Sequence, residues 1–261
     1  MKAKLLLLMT LLTVATAMMG QNDPNAKRQA ARRRMAGTTT TQQPAQTQQP
    51  AQIQQPVQTQ KPVSKPSSLP PNIKSQQEFD QFVEAAKNGD AAAQFSLAYW
   101  YDNGLGVEPD SQKAFYWFLK SAEQGHAQSQ GIVATKYLNG KGTEKNEEKA
   151  YYWFQKGAEQ NDVHSLVMMG FAYEGKGVVP ADPVKSFECF KKAAELGSDM
   201  AMPQVAFRYF YGDGVAQDYK QAVYWFEKSL ASADDPEDVE YWKEMLDKAK
   251  MRQQIKEKQK K

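Results

Sequence analysis

From about residue 75 onward, large apolar side chains recur at spacings of three and four, as on one face of a helix, and the whole pattern then repeats. The stretch from Asp110 to Gly125, DSQKAFYWFLKSAEQG, returns as NEEKAYYWFQKGAEQN from Asn146, as DPVKSFECFKKAAELG from Asp182 and as DYKQAVYWFEKSLASA from Asp218, always 36 residues later. A constant period of this size marks a solenoid, in which each unit buries its apolar face against the next. Two amphipathic segments fill each period. The first, helix A, aligns Ala93, Ser129, Ser165 and Ala201 with Leu97, Val133, Met169 and Val205, with Ala98, Ala134, Gly170 and Ala206, and with Tyr101, Tyr137, Tyr173 and Tyr209. Helix B repeats an alanine and then Trp117, Trp153 or Trp225 followed by a Phe. Cys189 replaces the tryptophan in the third unit and is expected as a buried small hydrophobe.

Local signals bound these segments. A Gly-x-Gly follows each helix A, as glycine ends helices in the left-handed conformation. Asp110, Asn146, Asp182 and Asp218 then stand as N-caps of helix B, with Pro183 at a first-turn position. Pro203 predicts a late start or a kink in the fourth helix A. The third unit has one residue fewer before its glycines and one more after them, so the period is kept. The expected fold is all-α, a solenoid of four α/α hairpins plus terminal cap helices. Repeats are expected at 90–125, 126–161, 162–197 and 198–233, with an N-terminal half-repeat at 75–89 and a C-terminal cap helix and basic tail at 234–261.

Ahead of the repeats the pattern changes. Lys2 and Lys4 precede an apolar run from Leu5 to Val14, and Ala15-Thr16-Ala17 offers small residues, so 1–17 reads as an export signal cut after Ala17 or Gly20. The run falls short of the roughly 20 residues that span a bilayer, so no stable membrane span is expected after cleavage, with an uncleaved anchor as the alternative. Residues 18–74 read as a disordered linker, first basic and then rich in Thr, Gln and Pro. Residues 21–74 hold eight Lys/Arg against one acid, whereas 75–261 hold 23 against 29. A basic arm thus precedes an acidic body. With Cys189 alone, internal disulfides are excluded and stability rests on packing.

The repeated residues resemble the Sel-1-like repeats, relatives of the tetratricopeptide repeat. Unit one carries that family's pattern as Leu97-Ala98, Tyr101, Gly104-Leu105-Gly106-Val107, Asp110, Ala114, Trp117-Phe118 and Gly125, and the likeness covers about residues 75–233. It implies a right-handed superhelix and a role as a scaffold for protein complexes, often in bacterial envelopes. Some exported relatives are cysteine-rich and associated with β-lactam compounds. This chain lacks the cysteines, so a hydrolase or β-lactam-interacting reading is disfavoured.

No catalytic set is evident, and no cofactor or metal is implied. Gly140-Lys141-Gly142-Thr143 lacks the spacing of a phosphate loop. His126 and His164 lack ligand spacing, and pairing His164 with Cys189 as a nucleophile conflicts with the expected burial of that thiol. No nucleic-acid signature is present, and a monomer or weak oligomer is expected.

The remaining candidate is a groove along helix A, made of three rows. They are Phe95, Gly131, Val167 and Pro203; Tyr99, Thr135, Phe171 and Phe207; and Asp102, Leu138, Glu174 and Phe210. Phe95, Tyr99, Val167, Phe171, Phe207 and Phe210 are the candidate contacts for a peptide or helix of a partner protein. The alternative is that these side chains pack helix A against its neighbour in the next repeat. The predicted localisation is exported, periplasmic or secreted, and a second expectation has the basic arm, Lys27–Arg34, binding an anionic envelope polymer.

Overall fold

The structure is a computed structural model that describes Pro70, residues 73–175 and residues 177–259. The expected export signal, the basic arm and nearly all of the expected linker lie outside the described residues. Ten helices and no strands make up the described chain: α1 Gln76–Lys87, α2 Ala91–Asn103, α3 Ser111–Glu123, α4 Ala127–Asn139, α5 Glu147–Glu159, α6 Val163–Ala172, α7 Pro183–Glu195, α8 Ala201–Tyr211, α9 Tyr219–Ala231 and α10 Pro236–Lys258. Helices α2, α4, α6 and α8 are the A helices, and α3, α5, α7 and α9 the B helices. Each helix packs on its neighbours in sequence, which is the arrangement of an α/α solenoid. No helix among the described residues is long and apolar enough to cross a membrane.

Local chemistry sets the helix ends. Asp110 accepts hydrogen bonds from the amides of Gln112 and Lys113, Asn146 from Lys149, Asp182 from Lys185, and Asp218 from Lys220 and Gln221. The A helices have caps of their own at Asp90, at Asp162 and at the imidazole of His126. The fourth A helix has none. Its expected start would fall near residue 199, yet α8 begins at Ala201, with Pro203 in its first turn, where the missing amide proton costs nothing. Three A helices end at Gly104, Gly140 and Gly212, all left-handed (φ 68°, 68° and 73°). In the third repeat the shifted glycines end α6 early, at Ala172.

Packing follows the period. Leu97, Val133, Met169 and Val205 are buried, as are Trp117, Trp153 and Trp225. Aromatic residues of each B helix meet the tyrosine of the next A helix edge to face: Phe115 on Tyr137, Tyr151 on Tyr173 and Phe187 on Tyr209. Lys113, Lys149 and Lys185 then lie over Tyr101, Tyr137 and Tyr173 at 5.3 to 5.5 Å. Burial, first, and a nearby acid push the Tyr101 and Tyr137 hydroxyls up to about 12. These tyrosines are glue between units. Cys189 is half-buried, and burial pushes its thiol up to about 11, far from a reactive thiolate.

Candidate functional site

The candidate groove residues divide by environment. Val167 is 3% exposed inside the core of the last two repeats, so it presents no surface to a partner, and the expectation for that residue is corrected. Gly131 and Pro203, from the same row, are buried too. The reason is the pitch of helix A: this row turns toward the neighbouring helix as well as along the face. Gly131 lies so close to Asp162 and Ser165 that a side chain there would collide with both.

Phe95, Phe171 and Phe207 are half-buried, and each meets a phenylalanine of its own repeat's helix B edge to face: Phe118 at 5.7 Å, Phe190 at 4.9 Å and Phe226 at 5.2 Å. Phe210 is half-buried among Tyr211, Tyr219 and Phe226. These rings serve the hairpin first and leave an edge to solvent. Tyr99 differs, with 47% of its surface exposed. Thr135, its counterpart in the second repeat, hydrogen-bonds the His164 imidazole at 2.9 Å, which places His164 in an inter-repeat contact.

The third row holds what sequence reasoning missed. Asp102 and Glu174 do not line an open groove. Lys136 of α4, 3% exposed, donates to Asp102 at 2.8 Å, and Lys141 reaches the same carboxylate at 2.9 Å. Arg208 of α8 pairs with Glu174 at 3.2 Å and also donates to Ser186 and to the Gln204 carbonyl. Each buried cation covers a helix-B ring of the preceding repeat, Lys136 over Phe118 at 5.6 Å and Arg208 over Phe190 at 4.5 Å. Burial pulls the Lys136 ammonium below its ordinary range, against the stabilising contact with Asp102. Partial burial would raise Asp102, but the hydrogen bonds and charges of Lys136 and Lys141 outweigh it and hold the carboxyl low. The signal was present as a double period: Asp102 and Glu174, Phe118 and Phe190, Lys136 and Arg208 are each 72 residues apart.

A second polar ladder runs through the first two repeats. Gln94 and Gln130 donate to the Ala86 and Ala122 carbonyls, and each accepts from a glutamine at the end of its own helix B, Gln124 or Gln160. The third repeat has Leu166 and Leu196 at both places, so the pair changes character together. A shallow cleft of about 290 Å³ lies beside this ladder, lined by Lys87, Gln94, Tyr116, Trp117 and Lys120. Among the described residues, no group of His, Cys, Asp and Glu is placed to hold a metal.

The period, the hairpins, the tyrosine row between repeats and the buried tryptophans of helix B define an α/α-repeat scaffold. The Sel1 repeat model matches four times, over residues 91–126, 128–162, 163–198 and 200–234, and the chain belongs to that family. Among solved structures it is similar to a Sel1 repeat protein from Oxalobacter formigenes, at 30% identity over 66% of this chain and 49% of the other, with a TM-score of 0.60. It is also similar to a protective antigen of uropathogenic Escherichia coli strains that displays an SLR fold, at 28% identity over 66% and 41%, with a TM-score of 0.57. The chain spans less than half the length of either. No curated protein matches it. Sel1 repeats are in general scaffolds for protein–protein interaction.

Proposed function

We propose that this protein is an exported scaffold of the bacterial cell envelope that binds a peptide or helix of a partner protein along its helix-A face. The observation that carries the reading is Tyr99. It is a large ring, 47% exposed, on a helix that buries its sequence neighbours Leu97, Ala98, Trp100 and Tyr101, with the half-buried Phe95 one turn before it. An amphipathic partner segment would cover these rings and the free edges of Phe171, Phe207 and Phe210. The leader-like residues 1–17 and the polar linker support export and tethering.

The exposed Tyr224 of helix B supplies an internal control, since 48% of its surface is open. A photo-crosslinking residue placed at 99 is expected to capture a discrete envelope partner, one placed at 224 is not, and Tyr99→Ala abolishes binding while the melting temperature stays put. Equal capture from both positions, or binding unchanged in Tyr99→Ala, refutes the helix-A site. Export is tested separately. The mature chain should begin at Met18 or Gln21 and fractionate outside the cytoplasm.

A further inference from the structure

The two ends of the solenoid are complementary halves of one repeat. Every helix B places a phenylalanine between two A helices, that of its own repeat and that of the next. Phe118, Phe190 and Phe226 are covered on the first side by Phe95, Phe171 and Phe207. On the second side they are covered by Lys136, Arg208 and Trp242. With Phe154, these four residues are exposed by 1, 0, 0 and 5%. Helix α1 is a helix B, and among the described residues no helix A stands before it. The phenylalanine at the matching position, Phe82, has the second cover, Trp100 at 5.7 Å, and among the described residues lacks the first; 36% of it is open.

Helix α10 is the converse. It packs on α9 where a fifth helix A belongs, burying Met245, Leu246 and Ala249, with Trp242 stacked on Phe226 at 6.3 Å. Among the described residues no helix B follows it. At 23 residues it outruns the A helices, which have 10 to 13, and its last turns carry Met251 and Ile255, one turn apart, at 55% and 43% exposure.

We propose that α10 of one copy packs against α1 of a second copy, completing a fifth hairpin in trans and joining solenoids head to tail. Charge matches this pairing. Helix α1 carries Glu78, Asp80 and Glu84 against Lys87, while residues 248–258 carry Lys248, Lys250, Arg252, Lys256 and Lys258 against Glu257. The chain's own arm is a poor substitute, because residues 21–72 contain no aromatic residue and five large aliphatic ones, Met35, Ile53, Val57, Val63 and Leu69. The contact joins two different surfaces and does not close on itself, so it builds a series of oligomers rather than a dimer alone.

Complementation of blocked ends tests this in the full mature chain. Met251→Asp/Ile255→Asp changes exposed positions and blocks the α10 end; Phe82→Lys blocks the α1 end. In sedimentation the unaltered chain is expected to run from monomer through dimer to higher species as concentration rises, and less so at high salt. Each variant alone weakens association at least about tenfold. An equimolar mixture of the two restores a dimer and nothing larger, because the one competent end of each variant is used in the contact and both outer ends of the dimer are blocked. Circular dichroism checks that each variant is folded, and the α10 variant carries the test even if Phe82→Lys is not. A monomer at every concentration, a dimer that never extends, or an α10 variant that assembles like the unaltered chain overturns the proposal.

Discussion

Removing the Asp102 carboxylate should unsettle the first repeat junction through a residue 34 positions away. In Asp102→Ala the Lys136 ammonium keeps its place under the Phe118 ring, 3% exposed, and loses its counter-charge. Breaking a buried pair from one side costs about 3–5 kcal/mol. Asp102 itself is one-fifth exposed, so water reaches the gap, and roughly 2–3 kcal/mol is the better figure. There is also a ceiling. Lys136 can shed its proton, which at pH 7 costs about 5 kcal/mol from an ordinary lysine, so the loss cannot exceed that. A loss of 2–3 kcal/mol lowers Tm by roughly 5–10 °C for an ordered region of this size.

The pH dependence identifies the cause. With Asp102 gone, the folded pKa of Lys136 falls further below its unfolded value. Between the two the unfolded chain binds more protons, so the variant's stability rises with pH by up to about 1.4 kcal/mol per unit. Thermal unfolding by circular dichroism at pH 7 and pH 9 is the assay. Asp102→Ala should regain much of its deficit at pH 9, and Asp102→Ala/Lys136→Met should regain it at pH 7. A variant within 1 kcal/mol of the unaltered chain, or a deficit that is the same at both pH values, refutes the buried-cation argument.

Three further outcomes follow from the same structure. Gly142→Ala and Gly214→Ala would each drive a methyl into the backbone carbonyl of the preceding helix B, at Ser111 and Pro183, from a positive φ, so both should lose well over about 1 kcal/mol in denaturant unfolding. Asp110→Ala removes the acceptor for two first-turn amides and should cost about 1 kcal/mol. Partial burial would raise the Asp110 carboxyl, but the Lys113 contacts and backbone donors hold it low. Its contribution is therefore present above pH 4 or so and disappears as pH falls through the folded pKa, and the gap between Asp110→Ala and the unaltered chain should close in acid. The Trp153 indole N–H is buried without a partner, so Trp153→Phe should cost less than Trp225→Phe by about 1–3 kcal/mol, read from the same melts.

The sequence alone determined the scaffold. Its period, its Ala/Leu/Tyr face, its tryptophan row and its caps at Asp110, Asn146, Asp182 and Asp218 are local or strictly periodic, and a fixed step turns local pattern into long-range packing. The late start of α8, with Pro203 in its first turn, was legible for the same reason. What belongs to the junctions between repeats was not. Whether Asp102 faces a partner or the ammonium of Lys136 depends on where the next helix A lies, and a 36-residue alignment hides a pair that recurs at 72. Tertiary structure alone decided that Val167 is core, that Phe171 and Phe207 brace their hairpins while Tyr99 stays open, and that Phe82 is exposed where its four counterparts are buried. Periodicity specifies which face of a helix is apolar. How much of that face remains exposed is set by the neighbouring helices, and among the described residues α1 and α10 each have a neighbour on one side only.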